Sequence, residues 1–437
     1  MIKSWLLRTS KFNFAVYAIV AAFGTYFCMY GYRKTFTAAG YEDYELWGIQ
    51  YKILLVTVQV LGYMLAKFIG IKVISELKPG RRLFMLLGLV AIAEIALLLF
   101  AAVPYPYNFI FLFFNGLPLG MIWGIVFSYL EGRTTSDALG AGLSVSFIVS
   151  SGAVKTVGKW LTVSWGISEF WMPFVAGLLF VAPLLLFSFL LNQLPPPSAE
   201  DEAARTKREP MTRLDRSAFL SKFALGLFAL IAFYTILTAF RSFRDDFANE
   251  IWIALGYVDK PAIFSQSEFP IAFIVFVFIT ATMAIRNNQK AFIIYHWVMI
   301  ASSALVAVST LLFQMKMLAP LPWMILVGLG TYMCYVPFNC VLFDRMIAAF
   351  KTIANAGFLI YVADSAGYLG SVAVMFYKNF GQPNLSWLDF FIAFSYILSG
   401  SGVLAVMVSV FYFKAKLKSQ PTAPNAEVKV FLSSDTK

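Results

Sequence analysis

Twelve stretches of roughly 20 predominantly apolar residues, each long enough to cross a bilayer as a helix, decide what this chain can fold into. They fall near residues 13–33, 50–70, 83–103, 108–130, 138–158 and 170–191, and again near 218–241, 267–286, 290–313, 320–343, 353–376 and 390–413. Only helices and closed barrels satisfy their backbone inside lipid, and barrel strands are about half this length. The pattern therefore predicts an all-α membrane protein. Charge supports it: 13% of the 437 residues are charged, against about 25% in a soluble domain.

A polar segment separates the two sets of six. It opens with Gln193-Leu-Pro-Pro-Pro-Ser and stays charged to Arg216. The expected organisation is a six-helix bundle over 1–192, a linker over 193–217, a second bundle over 218–415 and a tail over 416–437. Net charge is +11, yet the cations sit in short loops rather than on a nucleic-acid-binding face. Lys3, Arg8 and Lys11 precede the first run, and Lys72, Lys78, Arg81 and Arg82 lie between the second and third. Arg205, Lys207, Arg208, Arg213 and Arg216 fill the linker, and Lys414, Lys416 and Lys418 end the last run. All fall on one side by parity, while the opposite loops carry Glu42, Asp43, Glu45, Glu250 and Asp259. Cytoplasmic loops favour Lys and Arg, so both termini are expected in the cytoplasm. The basic N-terminus leads into a run too long for a signal peptide and reads as a retained first helix.

The halves resemble each other. Asn115-Gly-Leu-Pro-Leu-Gly in the fourth run leads to Glu131 and Arg133, and Gly328-Leu-Gly with Pro337 in the tenth leads to Asp344 and Arg345. Arg33 and Arg241 lie 208 residues apart and Arg133 and Arg345 lie 212 apart, a near-constant offset such as a duplicated six-helix unit leaves.

Ionised groups at membrane depth are functional-site candidates by default. Arg33 closes the first run and Arg241 the seventh, at matching places in the two halves, so they are expected to share one anion site. The guanidinium fork holds two oxygens of a phosphate or carboxylate and stays protonated. Tyr26 and Tyr30 sit near Arg33 and offer hydroxyls; Lys67 is a further site candidate. Arg244 shares a helical face with Arg241, leaving open which of the two faces the solute, and Asp245 and Asp246 are close enough in sequence to neutralise either. Glu94 and Asp364, lone acids among apolar residues, are candidates for carrying a coupling proton. Lys155 and Lys159 read as interfacial anchors, with drawing anions inward as the alternative, and His296 reads as structural. Cys28, Cys334 and Cys340 show no metal or disulfide spacing. The chain has no phosphate loop of the ATP-binding type and no catalytic constellation, so neither a cofactor nor an enzyme activity is expected.

Twelve helices as six plus six with both termini inside resembles the major facilitator superfamily. Within it, Tyr30-Gly-Tyr-Arg33-Lys34-Thr-Phe36 is similar to the first-helix signature of the organophosphate:phosphate antiporters. Arg241, with Asp246 five residues on, resembles their seventh-helix arginine, and Lys67-Phe68-Ile69 their second-helix motif. The resemblance implies phosphate bound between Arg33 and Arg241. There are departures: Thr37-Ala-Ala-Gly replaces the expected Met-Pro segment, and the superfamily loop survives only as Ser75-Glu-Leu-Lys-Pro-Gly-Arg-Arg82. Asn115–Arg133 also resembles an uncharacterised bacterial membrane family, a domain of unknown function.

The expected function is secondary transport of a small anionic, phosphorylated solute by alternating access, as antiport against phosphate or as proton symport. The expected setting is a bacterial cytoplasmic membrane, with the protein a monomer whose partners are that solute and the lipid. Two alternatives stand: a carrier of uncharged or hydrophobic compounds, with the arginines paired to nearby acids, and a non-transporting sensor of the same fold.

Overall fold

The computed structural model describes residues 2–75, 77–130, 133, 136–198, 201, 213–352 and 356–419. Most of the expected linker and tail, with Arg205, Lys207 and Arg208, lies outside them. Among the described residues there are twelve helices of 19 residues or more. They are α1 (Lys11–Lys34), α2 (Tyr51–Ser75), α3 (Arg82–Ala102), α4 (Ile110–Ser128), α5 (Ser136–Trp165) and α6 (Met172–Asn192), then α7 (Ala224–Asp246), α8 (Ala262–Met283), α9 (Asn288–Gln314), α10 (Pro320–Cys340), α11 (Ala356–Phe376) and α12 (Trp387–Lys418). Eleven are long and apolar enough to cross a membrane. The remaining one is α5, whose Ser, Gly and Lys residues (Ser144, Ser146, Gly152, Lys155, Lys159) lower its hydropathy; it packs between the two bundles, where polar groups find partners instead of lipid.

An even number of crossings puts the start of α1 and the end of α12 at one end of the molecule, here the terminal face; the other end is the far face. Phe228, Phe273 and Leu404 point outward, each about 70% exposed. Rings and leucines displayed in such numbers would make a water-facing surface associate; facing lipid they cost nothing.

Small residues set how closely helices approach. A Cβ on Gly62 would lie 2.3 Å from the Phe113 carbonyl oxygen, and one on Gly116 2.2 Å from that of Gln59. Without those side chains α2 and α4 meet backbone to backbone, the packing mode that replaces the hydrophobic effect inside lipid. Between the bundles, Gly152 of α5 does the same: its Cβ would meet the Phe264 carbonyl oxygen of α8 at 2.7 Å.

On the far face the α1–α2 loop folds into a two-stranded hairpin, β1 (Glu45–Leu46) against β2 (Ile49–Gln50). Its tip, Trp47 and Gly48, turns through positive φ of 56° and 72°. The Gly48 carbonyl accepts a hydrogen bond of 3.0 Å from Asn379, just beyond α11, so the loop of one bundle rests on the other.

His296 is buried eight residues into α9, bonded to the Phe292 carbonyl and the Ser409 hydroxyl at 2.8 and 3.0 Å. That is a structural role. The three cysteines are free.

Candidate functional site

Between the bundles lies a cavity of about 60 Å³. At roughly 10–15 Å³ per water, it has room for about four to six waters. Each helix reaching it contributes one stripe. Tyr26, Tyr30 and Arg33 come from α1 at spacings of four and three; Tyr63 and Lys67 from α2, and Tyr335 and Asn339 from α10, each pair four apart; Ile360, Asp364 and Tyr368 from α11 at successive fours. Such spacings put side chains one above another on a helix. Arg241 of α7, Trp123 of α4 and Phe147 of α5 complete the wall.

The two arginines stand in matching surroundings. The Arg33 guanidinium lies over the Tyr63 ring, 3.9 Å from its centroid, and that of Arg241 over the Tyr335 ring at 4.4 Å. Tyr335 is itself stacked on Tyr234 at 5.4 Å. A cation over a desolvated ring gains about 2 kcal/mol, well short of what removing the charge from water costs. Among the described residues neither guanidinium joins an ion pair with a carboxylate, and the buried Nε of each has no hydrogen-bond partner. Their charge is thus uncompensated where the two bundles meet. Lys67 adds a third cation, its ammonium 5.4 Å from the Tyr63 centroid and 5.7 Å from that of Trp123. Among the described residues the one acid lining the cavity, Asp364, accepts a 2.7 Å hydrogen bond from the Tyr234 hydroxyl, to which Asn339 donates at 3.2 Å.

Buried amides hold the backbone that carries Arg33. Gln59 donates to the Arg33 carbonyl and to the Asn115 side chain, both at 2.8 Å. Asn115 in turn donates to the carbonyls of Tyr32 and Ala93 at 3.1 Å. This fixes the last turn of α1 against α2, α3 and α4.

Of the residues singled out in the sequence, Arg33, Arg241, Tyr26, Tyr30, Lys67 and Asp364 meet at the cavity. Arg244 does not, which corrects its expected place in the site: its guanidinium donates to Glu268 at 2.7 Å and to the Met324 carbonyl at 3.1 Å, because a step of three residues from Arg241 turns it toward α8 and α10. Glu94 also lies elsewhere, against α6, where a Cβ on Gly177 would come 2.0 Å from its carboxylate; both its oxygens are buried without a hydrogen-bond partner. Asp245 and Asp246 neutralise neither Arg241 nor Arg244. They pair with Lys34 and Lys155 of the first bundle. Tyr63, Trp123, Tyr335, Asn339 and Tyr368 were not singled out; for Tyr63, Tyr335 and Tyr368 the signal is a four-residue spacing from a charged or amide residue on the same helix, Lys67, Asn339 and Asp364, and Trp123 and Asn339 carry no such signal.

The fold is shared with two solved transporters. A D-xylose–proton symporter superposes with a TM-score of 0.59 at 15% identity, covering 93% of this chain and 98% of its own. A point mutant of the peptide transporter POT, solved in complex with sulfate, gives 0.60 at 14% identity, covering 94% and 96%. No curated protein matches the sequence. Residues 35–416 match DUF5690, a family of unknown function, and the chain belongs to that family.

Proposed function

We propose that this protein is a secondary active transporter that moves a small phosphorylated anion by alternating access of its two bundles. One observation carries the reading: two guanidiniums, one from each bundle, Arg33 buried and Arg241 half-buried, face a single cavity without an ion-pair partner among the described residues. A fixed excess of positive charge in a low-dielectric site favours an anion strongly, since Coulomb terms grow as the effective dielectric falls. Three cations against one acid suit a dianion, and a phosphate ester carries about −1.5 to −2 at neutral pH. The cavity volume admits an oxyanion headgroup in this conformation. Because an empty site would cross the membrane with its charge uncompensated, return without an anion is slow and exchange against phosphate follows.

Asp364 favours a second form of the reading, anion–proton symport. Its carboxylate shares the cavity with Lys67 and is the one acid there able to carry a proton.

The test is counterflow. Purified protein in liposomes loaded with phosphate is expected to accumulate labelled phosphate from outside, and Arg33→Ala to abolish accumulation. A folded wild type that accumulates none removes phosphate exchange; transport that persists in Arg33→Ala/Arg241→Ala removes the anion site.

A further inference from the structure

One side chain at the cavity differs from the rest in what it offers a solute. Arg33, Arg241 and Lys67 only donate hydrogen bonds, and tyrosine hydroxyls turn to donate or accept. Asp364, as a carboxylate, only accepts. A hydrogen-bond chain fixes its place and its sense. The Asn339 side chain lies 3.2 Å from the Tyr335 carbonyl, which accepts and never donates, so the amide presents its NH2 group there. The same group donates to the Tyr234 hydroxyl at 3.2 Å. That hydroxyl is left to give its one hydrogen to Asp364, 2.7 Å from Oδ1. Tyr234 is itself buried and stacked on Tyr335. The carboxylate is thus anchored through one oxygen, and Oδ2 takes no hydrogen bond among the described residues.

We propose that Asp364 makes the site selective for an oxyanion that carries a hydrogen: it accepts the O–H of hydrogen phosphate and turns away sulfate, which has none. This selectivity rests on the anion-site reading and specifies the form of solute that the site takes. Hydrogen phosphate has three bare oxygens and one hydroxyl; the cavity offers three cations and one carboxylate. A phosphate ester meets the same pattern in its singly protonated form.

Sulfate has the charge and the tetrahedral shape of hydrogen phosphate, but four bare oxygens. Whichever three the cations take, the fourth meets a carboxylate oxygen with no hydrogen between them. Coulomb attraction to the three cations treats the two dianions alike, so the hydrogen bond decides. Failing to make it also leaves charged oxygens desolvated and unpaired, which costs more than the bond itself. The hydrogen stays on the solute throughout, so this role is separate from carrying a coupling proton.

Competition measures the preference. Purified protein in detergent is loaded with labelled phosphate on scintillation proximity beads, in mildly alkaline buffer where hydrogen phosphate predominates. Unlabelled phosphate, arsenate or sulfate then displaces it, and labelled sulfate is bound directly in parallel. Wild type is expected to need at least about tenfold more sulfate than phosphate, with arsenate, which carries the same hydroxyl, close to phosphate. Asp364→Asn keeps an amide oxygen for Tyr234 and offers the solute an NH2 donor, so the ratio is expected to fall towards one. Removing a negative charge strengthens both dianions alike; the ratio, unlike either affinity, reports the hydrogen bond. Asp364→Ser, whose hydroxyl turns either way, is expected to lose the preference too, so the result does not hang on one variant. A wild type that binds sulfate as well as phosphate, or a preference that both variants keep, overturns the selectivity and leaves the anion site standing. A folded wild type that binds neither anion removes the anion site, and the selectivity with it.

Discussion

Arg33 lies over the ring of Tyr63, 3.9 Å from its centroid, and the amide of Gln59, one turn earlier on the same helix, holds the Arg33 carbonyl. One helix thus fixes both ends of the residue, its backbone by a hydrogen bond and its charge by a π face. Tyr335 repeats the ring contact for Arg241 in the second bundle. An arginine held this way is oriented before any anion arrives, so little ordering remains to be done on binding.

Arg33→Lys and Arg241→Lys are each expected to behave nearly as badly as alanine, because a lysine loses the planar fork and its stacking. Losing one charge-assisted hydrogen bond of a bidentate pair costs about 1.5–3 kcal/mol, at least roughly 10-fold in half-saturation. Counterflow across a range of external phosphate measures it; a lysine variant with wild-type half-saturation contradicts the fork.

Tyr63→Phe keeps the ring and Tyr63→Leu removes it. The leucine variant is expected to weaken solute binding by about 1–2 kcal/mol, the phenylalanine variant far less. Scintillation proximity binding of labelled phosphate separates them, and equal losses would point to the hydroxyl instead of the ring.

Asp364→Asn and Glu94→Gln discriminate the two coupling modes. Glu94 stands outside the cavity, so its glutamine variant is expected to keep both counterflow and any response to a proton gradient. Asp364→Asn retains counterflow and loses the gradient response if symport operates. Uptake with and without an imposed pH step reads both.

Asn115→Leu leaves one buried Gln59 hydrogen without a partner and takes from the Tyr32 and Ala93 carbonyls the side-chain hydrogen bond each accepts. The unsatisfied group costs about 1–3 kcal/mol, so a clear fall in the detergent melting temperature is expected, followed by tryptophan fluorescence.

Gly116→Ala drives a methyl group to 2.2 Å from the Gln59 carbonyl oxygen, whereas Gly88→Ala meets nothing within 4 Å. The first must push α2 from α4 and is expected to lower stability sharply and to disturb transport through Tyr63. The second is expected to be neutral or to gain up to about 1 kcal/mol from alanine's higher helix propensity. Melting of the two proteins side by side checks the contrast.

The stripes explain what was legible. Arg33, Arg241, Lys67 and Asp364 stand out because charge is rare in an apolar run. Tyr63, Tyr335 and Tyr368 do not, because an aromatic residue in a membrane helix faces lipid, core or cavity with the same one-dimensional signature. Asp246 misleads for a related reason: near Arg241 it reads as a local counter-ion, yet it bonds to Lys34 across the bundles.

The chain alone determines that it is a helical protein crossing a membrane many times, because hydrocarbon thickness demands apolar runs of a set length. It also marks the two arginines, because membrane depth makes an idle charge too costly to keep. Which charges stay unpaired at a shared cavity, and which pair across the bundles, was decided only by the packing of one bundle on the other. Helix rotation sends Arg241 and Arg244, three residues apart, to different neighbours, and that angle is set by contacts more than a hundred residues away.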